Sequence, residues 1–423
     1  MKDSPKASRS DIPVRELAEI TVKSDTRDYL SHATKQSMNH DHYDLVIDVD
    51  AHIHERSVWG EVLEYIENDV LKYTAQAMYS PGREPLSNQV PGMAFHAMAG
   101  RIPHQTGPQE SVLDGETSGS SYYTQVARRA IDALGLDYQM VFPTSMLSVG
   151  LNPMDDIEIY TSRAYNRWLT ERVLPEEKRL IGFLLLPFNN PEEAEKIVAE
   201  FGDRERVVGF TVPALRHRPV HSNRHMRLFR MIEETGKPLV FHAGPYWNDP
   251  SFAQLNRFVS MHALSFPHYN MIHMTNWIIN AIPERFPKLK VVWIESGLAW
   301  IPFLMQRLDH EVSMRHNEAP GLKRLPSEYM KEMYFTSQPL ERTNLKMLKY
   351  TMEMMNAETQ LLYASDWPHW DFDPPSAITS LPFLSDQAKR NILGMNAAKL
   401  FNLPLKRMRP RPEDVLANRP QVS

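Results

Sequence analysis

The chain has 423 residues and carries 47 lysines and arginines against 52 aspartates and glutamates, a formal net charge of −5, so it has no cationic excess to draw nucleic acid or an anionic membrane. Cysteine is absent, which excludes disulfides, thiolate ligands and a cysteine nucleophile, and leaves His, Asp and Glu as the strong metal ligands. Hydrophobic residues make up 42%, enough for a sizeable core, and the length suits one α/β barrel with insertions.

Residues 1–44 are polar, with scattered Pro, Ser and charges, and read as an N-terminal arm lying on its own barrel or on a partner subunit. No run approaches the ~18 apolar residues of a membrane span, and the opening MKDSPKASRSDIPVRE has no apolar core of a signal peptide. The expectation is a soluble cytoplasmic protein. Residues 45–55 then read LVIDVDAHIHE, a buried strand ending in a polar mouth. Period two sets Asp48, Asp50, His52 and His54 on one face and Val49, Ala51 and Ile53 on the other. Packed carboxylates and imidazoles are costly unless a cation holds them, so this stretch reads as half of a metal site.

Helical spacing follows over 58–78. Residues 79–121 are rich in Gly, Pro, Ser and Gln, with Met93, Phe95, Met98 and Ile102 interspersed, and read as a lid-like insertion. Beyond it the pattern predicts helices at 122–134, 156–174 (with Asp155 or Asp156 as cap), 191–201 and 226–235, the last ended by Gly236. Strands are predicted at 45–50, 137–142, 180–187, 207–212, 239–242, 289–295, 333–336 and 361–366. Eight strands alternating with helices call for parallel crossovers and close into a (β/α)₈ TIM barrel over 45–405. A Pro- and Arg-rich tail, 406–423, extends beyond it.

Ligand-type residues fall at the ends of the first, fifth, sixth and eighth predicted strands: Asp50 and His52, His242, Glu295, and Asp366. Only a barrel brings them to one mouth. Two histidines and two carboxylates, Asp50, His52, His242 and Asp366, hold one divalent ion and leave positions open for water and substrate. Oxygen and nitrogen donors favour Zn first, with Mn and Fe as alternatives. Such an ion activates water or polarises a substrate carboxylate or carbonyl. Glu295 and Asp366 are the candidate catalytic residues, with Glu295 a general base or a ligand for a second ion. Glu55, His273 and His369 are further candidates for a second ion or for supporting hydrogen bonds. His54 could pair with His52 in another register, but Asp50 and His52 fit the strand better. Arg216, His217 and Arg218 could clamp a carboxylate, although a solvated charge run is the commoner meaning. The 23 methionines are core filler. No substrate-binding residue can be named.

The first-strand motif, FHAG around His242, ERFPKLKVVWIESGLAW and YASDWPHW together resemble the amidohydrolase superfamily, in the branch related to aminocarboxymuconate semialdehyde decarboxylase. The resemblance covers roughly 45–405. It implies a metal-dependent enzyme, since characterised relatives are mostly non-oxidative decarboxylases of small unsaturated or aromatic acids, alongside hydrolases and hydratases. It carries the ligand roles onto Asp50, His52, His242 and Asp366. The chain departs from the pattern at two places. Asp50 replaces the first histidine of the usual His-x-His, a change also seen among the decarboxylases, and Glu295 stands where they offer a sixth-strand histidine. The acid-rich mouth also resembles a subset with dinuclear iron or manganese–iron oxygenases, including the two-subunit hydroxylase of 2-aminoisobutyrate. The expected activity is therefore hydrolysis or loss of CO₂ from a small organic acid, with a dinuclear oxygenase or a supporting subunit of a paired-barrel complex as alternatives. A homo-oligomer, or a hetero-oligomer with a homologous barrel, is expected by the same analogy.

Overall fold

A computed structural model describes residues 38–80, 120–246, 248–369 and 371–411, together with residues 30 and 33. Its eight strands are β1 Ile47–Ile53, β2 Tyr138–Pro143, β3 Leu180–Leu185, β4 Val207–Pro213, β5 Leu239–His242, β6 Val291–Ile294, β7 Tyr334–Thr336 and β8 Leu361–Leu362. They pair in sequence order, every pair parallel. The residues after β8 close the ring on β1: Val49 N donates to the Tyr363 carbonyl at 3.0 Å, Asp366 N to the Asp50 carbonyl at 2.7 Å, and His52 N to the Trp367 carbonyl at 2.6 Å. The expected (β/α)₈ barrel is the fold.

Among the described residues the helices of eight residues or more are α1 Glu55–Leu63, α2 Asp69–Met78, α3 Tyr122–Leu134, α4 Asp155–Trp168, α5 Pro191–Phe201, α6 Met226–Thr235, α7 Phe258–Ile279, α8 Trp300–Met314 and α9 Leu345–Met354. Strand residues alternate between two apolar layers, as parallel strands covered on both faces must. Met140 and Phe142 of β2, Phe183 of β3, Val240 of β5 and Val292 and Ile294 of β6 fill the barrel. Val141, Leu184, Phe241 and Trp293 face the helices.

The structure corrects several local expectations. The helical stretch over 58–78 is two helices, because the chain breaks after α1 and restarts at Asn68, whose side chain accepts from Leu71 N. Asp155 and Asp156 lie in the first turn of α4, with Met154 at the cap position; acids suit the helix N-terminus there without capping it. That helix continues as a π turn over Leu169–Val173. The strict period two of β1 fails at a bulge, where the pairing with β2 shifts between Asp48 and Ala51. Bulges re-aim side chains beside active sites. Here Ile47 and Val49 face the barrel interior, yet beyond the bulge Asp50 and His52 turn to the mouth and Asp48 does not join them.

The tail does not simply leave the barrel. Met408 N and Arg409 N donate to Asp137 Oδ1 at 2.7 and 3.0 Å, and the Arg409 guanidinium pairs with Asp137 Oδ2 with both side chains buried. Residues 1–29 of the arm and 81–119 of the lid-like insertion lie outside the described residues. Among the described residues no helix is long and apolar enough to cross a membrane.

Candidate metal centre

His52 and His242 come to the mouth with their ring orientations fixed from behind. His242 Nδ1 donates to the Ala243 carbonyl at 2.8 Å, so its Nε2 carries a lone pair. That lone pair faces Asp50 Oδ1 at 3.3 Å. His52 Nδ1 lies 3.2 Å from Thr144 Oγ1, and its Nε2 stands 3.4 Å from Asp50 Oδ1 and 3.2 Å from Asp366 Oδ1. Asp50, His242 and Asp366 are fully buried and His52 is 1% exposed.

This donor set fits a divalent ion. Asp50 Oδ2, His52 Nε2 and Asp366 Oδ2 are buried without a hydrogen-bond partner, an expensive arrangement unless a cation completes it. Two ligand atoms each about 2.1 Å from one ion at a tetrahedral angle stand about 3.4 Å apart, close to the separations just given. The backbone carbonyl behind His242 is the kind of partner that fixes a ligand's tautomer. Two overlapping donor groups emerge: Asp50, His52 and His242, and His52, Asp366 and His369.

The mouth polarises its remaining groups in opposite directions. His369 Nδ1 sits 2.7 Å from Asp366 Oδ1. Burial alone would raise the Asp366 carboxyl, but the charges and hydrogen bonds of His369 and His52 hold it below the usual range. Burial also disfavours the His369 cation, yet Asp366 outweighs it and raises His369 above 6.5. His52 is pushed down to about 4 by burial and by the charge of His369. Glu295 goes the other way, well above its ordinary value, through burial first and then the charges of Asp366, Asp50 and Asp371. Its Oε2 has no hydrogen-bond partner and lies 3.6 Å from His242 Nδ1. Glu295 and Asp366 also share a positive φ, 55° and 63°. Left-handed backbone at two strand-end acids is strain of the kind that collects at functional sites.

The structure thus gathers Asp50, His52, His242, Glu295, Asp366 and His369. It does not gather two other candidates. Glu55 accepts from Thr144 N, Ser145 N and Met146 N at 3.1, 2.8 and 3.1 Å; both oxygens are spent on the start of the 3₁₀ turn Ser145–Leu151. His273 donates from Nε2 to the Ala214 carbonyl at 2.7 Å, in the layer between barrel and helices where its ring also faces Phe241. Arg216 follows β4 into the same layer, stacked over Phe188 and Phe241 at 4.8 and 5.4 Å, so it makes no clamp in the mouth. His54 is half-buried at the cap of α1, its ring 5.5 Å from that of His369.

Two contributors, Thr144 and Asp371, escaped sequence reasoning, and a third, Asp48, was expected on the metal-binding face but serves elsewhere. Thr144 orients His52. Asp371 adds its charge beside Glu295 and His369, a role the acid-rich run WDFD could have signalled. Asp48 holds the barrel seam: it accepts from Gln139 Nε2 at 3.0 Å, Ser365 N at 2.8 Å and Ser365 Oγ at 2.6 Å.

The family model described as "Amidohydrolase" matches residues 48–403, and the chain belongs to that family. It is 22% identical over 253 residues to a gamma-resorcylate decarboxylase of Polaromonas sp. strain JS666, covering 57% of this chain and 76% of the relative. It is 22% identical over 265 residues to the 2-amino-3-carboxymuconate-6-semialdehyde decarboxylase of Dictyostelium discoideum, covering 61% and 70%. Among solved structures, the 5-carboxyvanillate decarboxylase of Novosphingobium aromaticivorans, complexed with manganese and a nitrobenzoic acid, superposes with a TM-score of 0.60 at 18% identity, over 85% of this chain and 96% of that one.

Proposed function

We propose that this chain is a metal-dependent enzyme that removes CO₂ from a small organic acid. The observation that carries the reading is the pairing of a cation-seeking donor set with a buried carboxyl, Glu295, which burial and its acidic neighbours push well above its ordinary value. The similarity to two decarboxylases supports the reaction type. Asp50, His52, His242 and Asp366 would hold the ion, which when bound would chelate the substrate's carboxylate and draw electron density from it.

The residues supply the rest. Loss of CO₂ breaks a carbon–carbon bond and leaves its electron pair on the substrate carbon. The Glu295 proton goes to that carbon, forming the new C–H bond, and the carboxylate regains a proton from water. The His369–Asp366 contact fixes the Asp366 carboxylate, while the buried mouth keeps water from competing for the proton.

The test is CO₂ release from a panel of small aromatic and unsaturated acids in D₂O, with the product analysed for deuterium. Deuterium at the carbon that lost CO₂, formed anaerobically with one ion per chain, supports the reading. A second reading, a two-ion oxygenase, rests on the second donor group His52, Asp366 and His369, with Glu295 as the added carboxylate. Two ions per chain and turnover that requires O₂ would replace the first reading with this one.

A further inference from the structure

Strand β6 pairs with β7 through Val292 opposite Tyr334 and Trp293 opposite Phe335, but Glu295 N, just beyond, donates to a side chain, the Thr336 hydroxyl, at 3.1 Å. Asn270 of α7 grips the other flank. Its Nδ2 donates to the Ile294 carbonyl at 3.3 Å and to Ser296 Oγ at 3.1 Å, the residues on either side of Glu295. The same Ile294 carbonyl accepts from Ala243 N at 3.2 Å, and Ala243 is the residue after His242. Farther along the turn, Glu341 accepts from Leu298 N at 2.8 Å and from Ala299 N at 3.1 Å. Gly297, with a φ of 67°, permits that approach, since a Cβ there would meet Glu341 Oε1 at 2.6 Å. Asn270 is fully buried and Thr336 is 2% exposed.

We propose that Thr336 and Asn270 are positioning residues for Glu295: their hydrogen bonds hold its backbone left-handed, and that backbone aims its carboxyl at the metal centre. What the carboxyl does there rests on the decarboxylase reading; how it is held rests on geometry alone. A φ of 55° at Glu295 is unfavourable for a residue with a Cβ, and persists only where the surroundings over-determine it. This turn has such surroundings. The Glu295 amide is fixed from β7, the carbonyl before it from α7, and the residues after it by Glu341. Because φ sets where the Cα–Cβ bond points, a relaxed turn would carry the carboxyl elsewhere. The shared Ile294 carbonyl also ties the turn to the residue beside His242, which keeps Glu295 Oε2 at 3.6 Å from His242 Nδ1. An acid must lie within reach of the carbon that loses CO₂, and a displacement of about 1 Å costs on the order of 10²-fold in rate.

The first experiment measures kcat and KM for CO₂ release by the full chain in Thr336→Val, Thr336→Ser and Asn270→Leu, each normalised to metal content. Thr336→Val keeps the shape and removes the acceptor. Asn270→Leu is the milder change, because the Ile294 carbonyl keeps the Ala243 N–H. Both should lower kcat by about 10- to 100-fold at unchanged KM and metal content, and Thr336→Ser, which retains the hydroxyl, should restore the wild-type kcat. The second experiment needs no substrate: urea unfolding compares Glu295→Gly with Glu295→Ala. With φ held positive, the glycine variant should have the higher midpoint. Adding Thr336→Val should shrink or reverse that advantage, as the turn relaxes to a negative φ where alanine is preferred. Wild-type kcat in Thr336→Val and Asn270→Leu, a serine variant as slow as the valine one, a rise in KM in place of the fall in kcat, or a glycine advantage that Thr336→Val leaves unchanged would each overturn the proposal. If the wild-type chain releases CO₂ from no acid in the panel, the decarboxylase reading falls, and the glycine–alanine comparison by itself upholds or overturns the hold on Glu295.

Discussion

His242 Nε2 faces Asp50 Oδ1 at 3.3 Å across 192 residues of sequence, while His242 Nδ1 is engaged by the Ala243 carbonyl. Two ligand-type atoms are thus aimed at one point. A divalent ion at that point would take both as ligands, and binding it only in the folded state would stabilise the fold.

Chelation should therefore lower the melting temperature, and an ion at 100 times its Kd should add about 2.7 kcal/mol of stability. His242→Ala is expected to lose both the bound ion and that response. Thermal unfolding with elemental analysis checks this. A His242→Ala protein that keeps one ion per chain would remove His242 from the ligand set.

Glu295→Gln keeps the side chain's size and removes its acidic proton. The expected outcome is a kcat reduced by about 10²- to 10⁴-fold, in the range of general acid–base catalysis, with metal content unchanged. Steady-state kinetics beside metal analysis would show it, and loss of the ion from the variant would make Glu295 a ligand instead.

The His369–Asp366 pair predicts a pH window in the metal-free protein. His369 is raised above its unfolded value of 6.5, so its contribution is complete below about pH 6.5 and is lost as pH rises through the folded value. Asp366 is depressed below 3.8, so its contribution is complete above that pH and is lost on acidification. The pair should stabilise most between about pH 4 and pH 6.5. Urea midpoints across pH 3 to 9 should show a hump in wild type that His369→Gln flattens.

Glu55→Gln separates the capping carboxylate from the metal site. Replacing one oxygen by an amide leaves a buried backbone N–H of Thr144, Ser145 or Met146 without its acceptor, a loss of about 1–3 kcal/mol. The ion should bind at full stoichiometry. Metal titration would expose the opposite outcome, in which Glu55 is a ligand after all.

At the other end of the barrel, Arg409→Ala removes the cationic partner of a fully buried Asp137 and leaves it only backbone donors. Removing one partner of a buried ion pair destabilises by about 3–5 kcal/mol. Equilibrium unfolding measures it, and a change under 1 kcal/mol would show that the tail's grip on the barrel floor is incidental.

Apolar periodicity and strand-end acids and histidines in the amino-acid sequence determined the eightfold alternation, and with it the convergence of Asp50, His52, His242, Glu295 and Asp366. A barrel with ordered parallel strands has one mouth, so sequence spacing alone puts those residues together. Tertiary structure decided everything that depends on direction. The bulge in β1 detaches Asp48 from the mouth, because one extra residue reverses which face follows. Glu55 and His273 look like ligands in sequence, yet they are claimed by backbone groups of other loops that only folding brings near. The Asp366–His369 pairing and the raised Glu295 follow from burial and from charges whose distances no one-dimensional pattern encodes.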